Sequence, residues 1–274
     1  MIYLSPRPAE ASSHLYYQHE SYLPFASALA PHSPAARLYG FARALNLHWK
    51  KKMVSRFSAG KTLLDVGCGT GEFLATMRDA GWQVHGLERD PAAAEFGRTK
   101  LKLSIQTGSL TDLEAGPSAF DMVTLWHVLE HLYAPVAALE VLRRHINPAG
   151  ALIIAVPNIA SVDARIYRQH WIALDAPRHV NHFSLASLAQ CGARAGFALR
   201  WWQQLPLDAF FNTLMSERLE AEAKKTSAWL WPLRLARAVA VASAALVAGS
   251  HNPFFSASAG ATLVAVFKKN TGKE

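Results

Sequence analysis

The sequence is poor in cysteine and in charged side chains. Its 274 residues include two cysteines, Cys68 and Cys191, which excludes a disulfide framework and a Cys-x-x-Cys zinc pattern. Charged residues make up 18% of the chain and hydrophobic residues 51%, which excludes a disordered chain, a coiled coil and a fibre. The first twenty residues lack the basic start and apolar stretch of a secretory signal. We therefore expect a globular protein in the reducing cytoplasm.

The charge balance is mildly basic. Lysine and arginine number 28 against 20 aspartates and glutamates, which gives a formal net charge of +8. An excess of this size is compatible with an anionic ligand, an acidic membrane surface or nucleic acid. The sign of the charge does not choose among these three.

Short apolar segments alternate with amphipathic segments from Lys61 onward. This alternation predicts an α/β fold, a Rossmann-like doubly wound parallel sheet covered by helices on both faces. The predicted strands are residues 62–66, 83–87, 103–106, 122–126 and 151–156, and the predicted helices between them are residues 72–80, 92–101 and 136–144. A turn at 147–150 is expected to end the last of these helices, because proline cannot continue a helix and glycine tolerates the turn.

Four segments are distinguished along the chain. Residues 1–57 are predicted to form a helical N-terminal cap or lid, and residues 58–205 the core. Residues 157–181, rich in His, Arg and Trp, predict a functional loop above the sheet. A helix at 184–195 and a strand at 197–203 complete the core. Residues 206–260 are predicted to be a helical apolar insertion, followed by the final strand and tail at 261–274.

The most informative segment joins the first predicted strand to the first predicted helix. Its three alternating glycines let the backbone approach a ligand at the carboxyl edge of the sheet. A dinucleotide site would need the third glycine one residue later, and Glu72 stands where the pyrophosphate would lie. The motif therefore favours a ligand without phosphates that carries an amino-acid end and a positive centre. The segment reads Leu63-Leu64-Asp65-Val66-Gly67-Cys68-Gly69-Thr70-Gly71-Glu72.

A second carboxylate follows at the end of the next strand. Glu88 stands where it can accept both hydroxyls of an unphosphorylated ribose. The loop with Ser109 and Leu110, after the third strand, is placed to face an adenine edge. The ligand chemistry is therefore that of a nucleoside.

With three further segments, these motifs resemble the class I S-adenosylmethionine-dependent methyltransferases, in the bacterial branch near the ubiquinone-type O-methyltransferases. The segments are 120–132 (FDMVTLWHVLEHL), 147–158 (NPAGALIIAVPN) and 177–184 (PRHVNHFS). The resemblance implies a seven-stranded sheet whose last strand is antiparallel. It also implies that S-adenosylmethionine is consumed and S-adenosylhomocysteine released. The expected methyl acceptor is an oxygen of a small-molecule or of a lipid- or glycan-linked acceptor.

The resemblance also implies a set of cofactor-binding residues. The glycine segment 65–71 would hold the methionine end of the cofactor, Glu88 the ribose, and Ser109 with Leu110 the adenine. The family commonly has an acidic residue where Ser109 stands, so backbone groups are expected to take part. Cys68 is expected to be a small filler and not a nucleophile. The implied set is Asp65, Gly67, Cys68, Gly69, Gly71, Glu88, Arg89, Ser109, Leu110 and Trp126.

Transfer to a hydroxyl also requires a base, and histidine is the usual choice. His127 directly follows the fourth predicted strand, and His179 and His182 lie in the loop after the fifth. We expect His127 first, then His179, as base or substrate contact. A capping or packing role stays open for each, and for His131 above all. No carboxylate or cysteine spacing around them repeats a known metal site, so no metal is expected.

Two other functional classes stay open, a non-catalytic methyltransferase-like partner subunit and a nucleic-acid methyltransferase. The segment Trp126-His127-Val128-Leu129 lacks the Asx-Pro-Pro-aromatic motif of enzymes that methylate amino groups of nucleic acids. The basic run 50–52 is explained most simply as a solvated helix face. No nucleic-acid partner is therefore favoured.

The insertion carries an apolar run. Tryptophans and arginines at 229–237 precede residues 238–248, and at about 11 residues this run is too short to span a bilayer. Aromatics and arginines beside an apolar helix suit peripheral contact of residues 229–250 with a membrane, or an acceptor with an apolar tail. Core packing and a dimer contact are the alternatives.

Overall fold

Strands and helices alternate through most of the chain. The computed structural model describes residues 2–10, 12, 16, 34–113, 120–205, 208–249 and 260–270. Its strands are β1 (Ile2–Tyr3), β2 (Thr62–Val66), β3 (Gln83–Glu88), β4 (Ile105–Thr107), β5 (Phe120–Trp126), β6 (Ile146–Pro157), β7 (Asn181–His182), β8 (Phe197–Gln204) and β9 (Thr262–Lys269). Its α-helices are α1 (Pro34–Phe57), α2 (Glu72–Asp79), α3 (Pro91–Lys100), α4 (Pro135–His145), α5 (Val162–Tyr167), α6 (Leu185–Arg194), α7 (Asp208–Ala223) and α8 (Trp231–Gly249).

Seven strands form one sheet in the order β4-β3-β2-β5-β6-β9-β8. The pairs from β4 to β6 are parallel, whereas β9 runs antiparallel to both β6 and β8. The predicted α/β fold, with seven strands and an antiparallel last strand, is confirmed.

Alternate residues of the central strands face opposite sides of the sheet. On β6, Leu152 and Ile154 pack into the hydrophobic cluster on one face, and Ile153 and Ala155 into the cluster on the other. All four side chains are fully buried. Apolar strands covered on both faces are the pattern expected of a parallel sheet between helical layers.

The strand order reverses direction at β2. From β2 the chain builds outward through β3 to β4, and then returns to place β5 on the opposite side of β2. Ligands of open α/β sheets bind in the crevice outside the carboxyl ends of the strands at such a point. The topology therefore predicts a ligand site at the loops after β2 and β5.

The structure corrects several predicted element bounds. Strand β4 covers Ile105–Thr107 and not 103–106, and β6 begins at Ile146, so the predicted turn at 147–150 lies within a strand. A register shift between Phe120 and Met122 accommodates this extension. The loop at 157–181 contains α5 and two 3₁₀ turns.

The N-terminal segment is not wholly helical. Strand β1 pairs antiparallel with β7, with Ile2 opposite His182. Of the tyrosines expected to form the N-terminal lid, Tyr16 is exposed, and Tyr17 and Tyr22 lie outside the described residues. Helix α1 is the described part of the segment that reaches the sheet, where Met53 and Val54 enter the core.

Ion pairs join the two helices of the insertion. Glu217 of α7 is fully buried, and its carboxylate lies 2.9 Å from Nη1 of Arg234 and 3.2 Å from Nη1 of Arg237, both on α8. The hydroxyl of Tyr167 donates a hydrogen bond of 2.9 Å to the same carboxylate. The two arginines, for which membrane contact and core packing were both open, therefore bind α7.

Helix α8 is longer than the apolar run predicted from the sequence. Within the described residues, the stretch Ala228–Val247 is long and apolar enough to cross a membrane by length and composition, and 22% of it is buried. The prediction that the segment is too short was wrong on length. One such helix is weak evidence of a crossing, because core helices of soluble proteins meet the same criterion.

Candidate active site

A cleft of about 590 Å³ lies over the glycine loop between β2 and α2. Helices α1 and α7 and the ends of β3 and β5 form the rest of its wall. Of the residues predicted from the sequence, those that line it are Asp65, Gly67, Cys68, Gly69, Glu88, Trp126 and His127.

The glycine loop has a backbone that other residues rarely adopt. Gly67 has φ of +68°, and a Cβ atom added to it would lie 2.5 Å from Cγ2 of Val128. Gly69 has φ of +56°, and an added Cβ would meet no atom within 4 Å. Gly67 is therefore required by both backbone and packing, and Gly69 by its backbone alone.

The Glu88 carboxylate is fixed by backbone donors. The N–H of Gly69 donates to its Oε2 at 2.7 Å, and the N–H of Asp90 donates to its Oε1 at 2.8 Å. Each carboxylate oxygen has a further lone pair for a ligand. Glu88 therefore presents an oriented acceptor pair to the cleft, as ribose binding requires.

Asp65 lies buried at the bottom of the cleft. The hydroxyl of Thr124 donates to its Oδ1 at 2.6 Å. Burial raises the pKa of Asp65 to about 7, against the opposing effects of Thr124 and of the Lys50 charge. A cationic ligand group at this position would favour the ionised carboxylate.

Lys50 of α1 reaches into the cleft. Its Nζ lies 4.5 Å from the ring centroid of Trp126 and 5.9 Å from that of Phe73. Burial lowers the pKa of Lys50, and the charges of Asp65 and Asp208 oppose that shift. The explanation of 50–52 as a solvated face is therefore wrong for Lys50.

The basic residues next to Lys50 in the sequence do not line the cleft. Lys51 and Lys52 line a separate groove together with Arg56 and Lys61.

Glu72, at the start of α2, forms an ion pair with Arg43 of α1. Because Arg43 balances its charge, Glu72 repels a phosphate less than the sequence argument assumed.

Two buried polar atoms of the cleft residues have no hydrogen-bond partner among the described residues. They are Oδ1 of Asn46, an acceptor, and Nε1 of Trp126, a donor. Buried polar groups in native proteins are nearly always paired, so each such atom requires an explanation. An unpaired donor and an unpaired acceptor in one cleft match a ligand end that carries both an ammonium and a carboxylate.

His127 lies at the carboxyl end of β5 between two carboxylates. Its Nδ1 is 3.3 Å from Oε1 of Glu130, and its Nε2 is 3.4 Å from Oδ2 of Asp208. Its φ of +58° is unusual for a residue with a side chain, a feature that clusters at functional sites. The N–H of His127 donates to the carbonyl of Ala155 at 3.0 Å, which ties this backbone to β6.

The two carboxylates change the protonation of this histidine. Burial lowers the pKa of His127, but the hydrogen bonds to Asp208 and Glu130 outweigh burial and raise it to about 9. Burial likewise raises the pKa of Glu130, and the bond to His127 with nearby histidine charges brings it down to about 2. Both ring nitrogens are engaged, so neither is open to an acceptor hydroxyl while Asp208 stays in place.

The other predicted catalytic histidines lie outside the cleft. His179 is buried, and burial lowers its pKa to about 4. Its ring centroid lies 4.6 Å from that of His131 and 6.4 Å from that of His182. Burial also lowers the pKa of His182. These three histidines form a second cluster behind His127.

Four predicted cofactor residues are not among those that line the cleft. The N–H and hydroxyl of Ser109 both donate to Oδ2 of Asp112 at 2.7 Å, which caps the short turn that contains Leu110. The roles of these residues toward an adenine stay predictions. Burial raises the pKa of the Cys68 thiol, in agreement with a filler and not a nucleophile. The four residues are Gly71, Arg89, Ser109 and Leu110.

Sequence reasoning missed the residues that α1 and α7 bring to the cleft. Asp208 and Phe211 begin α7, more than 130 residues after the glycine loop, and no motif connects them. The signal that was present for α1 was the basic run at 50–52. The residues concerned are Arg43, Asn46, Lys50, Asp208 and Phe211.

Comparison with known proteins gives a consistent set of relatives. The profile of a methyltransferase-domain family matches residues 39–200. A ubiquinone biosynthesis O-methyltransferase of Xanthomonas oryzae pv. oryzae is 29% identical over 133 residues, 46% of this chain and 56% of that protein. The enzyme of the same name from Vibrio cholerae is 33% identical over 105 residues, 36% of this chain and 43% of that protein. The match thus spans about half the length of these relatives.

Solved structures show the same fold. A Galdieria sulphuraria protein, named as a candidate sarcosine dimethylglycine methyltransferase, superposes with a TM-score of 0.56 over 86% of this chain and 88% of its own. At 13% identity this likeness shows the fold alone.

Proposed function

Because this chain belongs to the methyltransferase-domain family that matches residues 39–200, and is an S-adenosylmethionine-dependent methyltransferase, we propose that it methylates an oxygen of a small-molecule or of a lipid- or glycan-linked acceptor. The observation that carries the proposal is the position of His127 and Asp208. These two residues line the same cleft as the glycine loop and Glu88, so acceptor and methyl donor would meet in one space.

The cleft residues fit the proposed methyl donor. The unpaired Oδ1 of Asn46 and Nε1 of Trp126 suit the ammonium and carboxylate of its amino-acid end. Lys50 and Asp65 supply the matching charges, and Glu88 suits the ribose hydroxyls. S-adenosylmethionine, when bound, supplies a methyl carbon on a positively charged sulfur that leaves as a neutral thioether.

Aromatic rings are placed to attract a positive sulfur. The rings of Trp126 and Phe73 have centroids 5.6 Å apart, and the Lys50 ammonium already lies over them. The face of such a ring attracts a cation by about 0.5 to 2 kcal/mol. The protein contributes chiefly orientation and exclusion of water, which together lower the barrier of a displacement by about 7 to 11 kcal/mol.

Asp208 and His127 act as one unit on the acceptor in this proposal. The hydroxyl of Thr262 donates to Oδ2 of Asp208 at 2.8 Å, and Nε2 of His127 contacts the same oxygen. These two contacts fix the orientation of the Asp208 carboxylate. An acceptor hydroxyl that bonds to Asp208 would pass its proton to this carboxylate. Because His127 is already protonated, its role is to orient Asp208 and balance its charge, and not to take the proton as first predicted.

The acceptor is proposed to carry an apolar part. Phe211 lines the cleft and is 46% exposed, and its neighbour Phe210 is 40% exposed. On α8, Leu233 is 66% exposed, and Trp229 just before the helix is 74% exposed. We propose that these apolar side chains contact the cytoplasmic face of a membrane and admit a lipid-linked or apolar acceptor from it.

A methyl-transfer assay tests the proposal. The protein is incubated with S-adenosylmethionine labelled at the methyl group and with lipid and aqueous extracts in parallel. Label is expected in an alkali-stable ether of the lipid fraction, and the Asp208→Asn variant is expected to lose it. Label found on nitrogen would contradict the assignment of oxygen as acceptor atom. Label in the aqueous fraction alone would contradict the apolar or lipid-linked acceptor. Either result would uphold the enzyme class.

A further inference from the structure

A cluster of possible metal ligands lies behind the cleft. Glu130, His131 and His179 each offer one ligand atom, and these atoms all lie within 4.8 Å of one another. Glu130 and His131 belong to the 3₁₀ turn Leu129–His131 after β5, whereas His179 belongs to the loop after β6. The cluster thus joins two loops at the carboxyl edge of the sheet.

Glu130 provides an observation that points to a missing ligand. Its side chain is 1% exposed, and within the part of the chain that the structure describes its Oε2 has no hydrogen-bond partner. Oε1 is held by His127, so the carboxylate orientation is fixed and the second oxygen is left for another group. An unpaired buried carboxylate oxygen is costly, because burying it forfeits its bonds to water.

The hydrogen bonds of the two histidines select the ligating nitrogen. Nδ1 of His131 lies 3.1 Å from the carbonyl oxygen of Arg178, and Nδ1 of His179 lies 2.8 Å from that of Ala173. A carbonyl only accepts, so Nδ1 carries a proton in each ring, and Nε2 is the nitrogen through which the neutral ring would bind a metal. Histidine ligands of metals commonly donate their other N–H to a backbone carbonyl in this way.

We propose that Glu130 Oε2, His131 Nε2 and His179 Nε2 bind a divalent transition metal of the zinc class. Two imidazoles and one carboxylate suit such a metal better than magnesium or calcium, which prefer oxygen ligands alone. Tetrahedral zinc holds its ligand atoms about 3.4 Å apart, so small side-chain rotations close the site. Asp175, whose Oδ2 lies 3.8 Å from Nε2 of His179, and water are the candidates for the fourth position.

The site departs from the sequence expectation that no metal is bound. That expectation rests on the histidines alone, because Glu130 directly precedes His131 and this pair matches no spaced ligand pattern. The fold brings the carboxylate and the histidine together although they are far apart in the sequence. The N–H of Val180 donates to the carbonyl of Glu130 at 3.0 Å, which places His179 beside Glu130. A metal here is independent of which acceptor is methylated.

Metal content tests the proposal. Protein without a histidine tag is stripped with a chelator, dialysed against zinc and analysed by mass spectrometry. One zinc per chain is expected, with at least tenfold weaker binding after Glu130→Gln or His179→Ala, measured by competition with a chromophoric chelator. His170→Ala, in the same loop but outside the cluster, is the matched control and is expected to bind normally. Absence of bound zinc, or equal loss in the control, would overturn the site.

A second measurement does not depend on variants that fold. Cobalt(II) added to the stripped wild-type protein is expected to give the intense visible bands of a tetrahedral site, which stoichiometric zinc then abolishes. Weak bands of a six-coordinate ion would show that this geometry is wrong. Circular dichroism of each variant identifies any that is unfolded. If a variant is unfolded, the cobalt spectrum of the wild-type protein alone tests the site.

Discussion

His127 Nε2 lies 3.4 Å from Asp208 Oδ2, and this contact joins the end of β5 to the first turn of α7. The two residues are 81 positions apart in the sequence. One follows a strand of the core sheet and the other belongs to the helical insertion, so the insertion completes the wall of the cleft beside His127.

We expect Asp208→Asn to lower kcat by about a hundredfold to ten-thousandfold, because a positioned proton acceptor contributes about 10² to 10⁴ in rate and an amide cannot replace it. Binding of S-adenosylhomocysteine is expected to change less than threefold. Steady-state kinetics and calorimetry measure the two effects. Glu222→Gln, an exposed residue of the same helix, is the control. Unchanged kcat in Asp208→Asn would remove Asp208 from the proton transfer.

Lys50→Met is expected to weaken S-adenosylmethionine binding by about tenfold or more, since it removes a charge-assisted bond worth about 1.5 to 3 kcal/mol. Lys52→Met is the matched control, because Lys52 lies on the same helix but in the separate groove. Equal dissociation constants for the two variants would show that Lys50 does not contact the ligand.

Acid stability tests the ion pairs between α7 and α8. The bonds from Lys224 and Arg237 outweigh burial and lower the pKa of Glu220 from 4.5 to about 2. A depressed carboxyl pKa contributes stability that is complete above the unfolded value and is lost as pH falls through the folded one. Glu220→Gln is therefore expected to unfold more readily than the wild type at pH 7, and the difference should shrink between about pH 4.5 and 2.

Urea denaturation at several pH values, followed by circular dichroism, measures this difference. Glu222→Gln serves again as control, because Glu222 pairs with Arg218 on the surface of α7. A stability difference that stays constant from pH 7 to pH 2.5 would show that Glu220 does not titrate as described.

Membrane contact of the insertion predicts a loss on removal of its apolar side chains. Trp229→Ser combined with Leu233→Ser is expected to reduce co-flotation with vesicles of phosphatidylglycerol and phosphatidylcholine at least fivefold, because buried apolar area sets interfacial binding. Phe41→Ser removes an exposed aromatic residue of α1 instead and should float like the wild type. Absence of flotation by the wild type would favour a dimer contact or a dissolved acceptor.

The part of the cleft around the glycine loop was largely predictable from the sequence. Asp65 and Glu88 lie on two successive strands of a parallel sheet, with Gly67 and Gly69 in the loop directly after the first, and a local motif carries the geometry of such a crossing. The number of strands and the antiparallel β9 followed from the family resemblance. Because a short continuous motif encodes the geometry of the glycine loop, that geometry can be recognised in the sequence.

The part of the cleft around His127 was not predictable for a physical reason. Asp208 is held beside the start of β9 by a hydrogen bond from the hydroxyl of Thr262, and Glu130 pairs with His127 because of the 3₁₀ turn after β5. Contacts between residues that are far apart in the sequence produce no recognisable spacing pattern. The raised pKa of His127, which changes its predicted role as a base, follows from its contacts with Asp208 and Glu130.

Calorimetric titration of S-adenosylhomocysteine into the wild type and into Glu88→Ala tests the central claim most directly. We predict one site of micromolar affinity in the wild type and at least tenfold weaker binding in the variant, because Glu88 loses its bonds to the ribose. Binding of NAD in place of S-adenosylhomocysteine, or equal affinity in the two proteins, would contradict the assignment of this cleft to an adenosyl sulfonium.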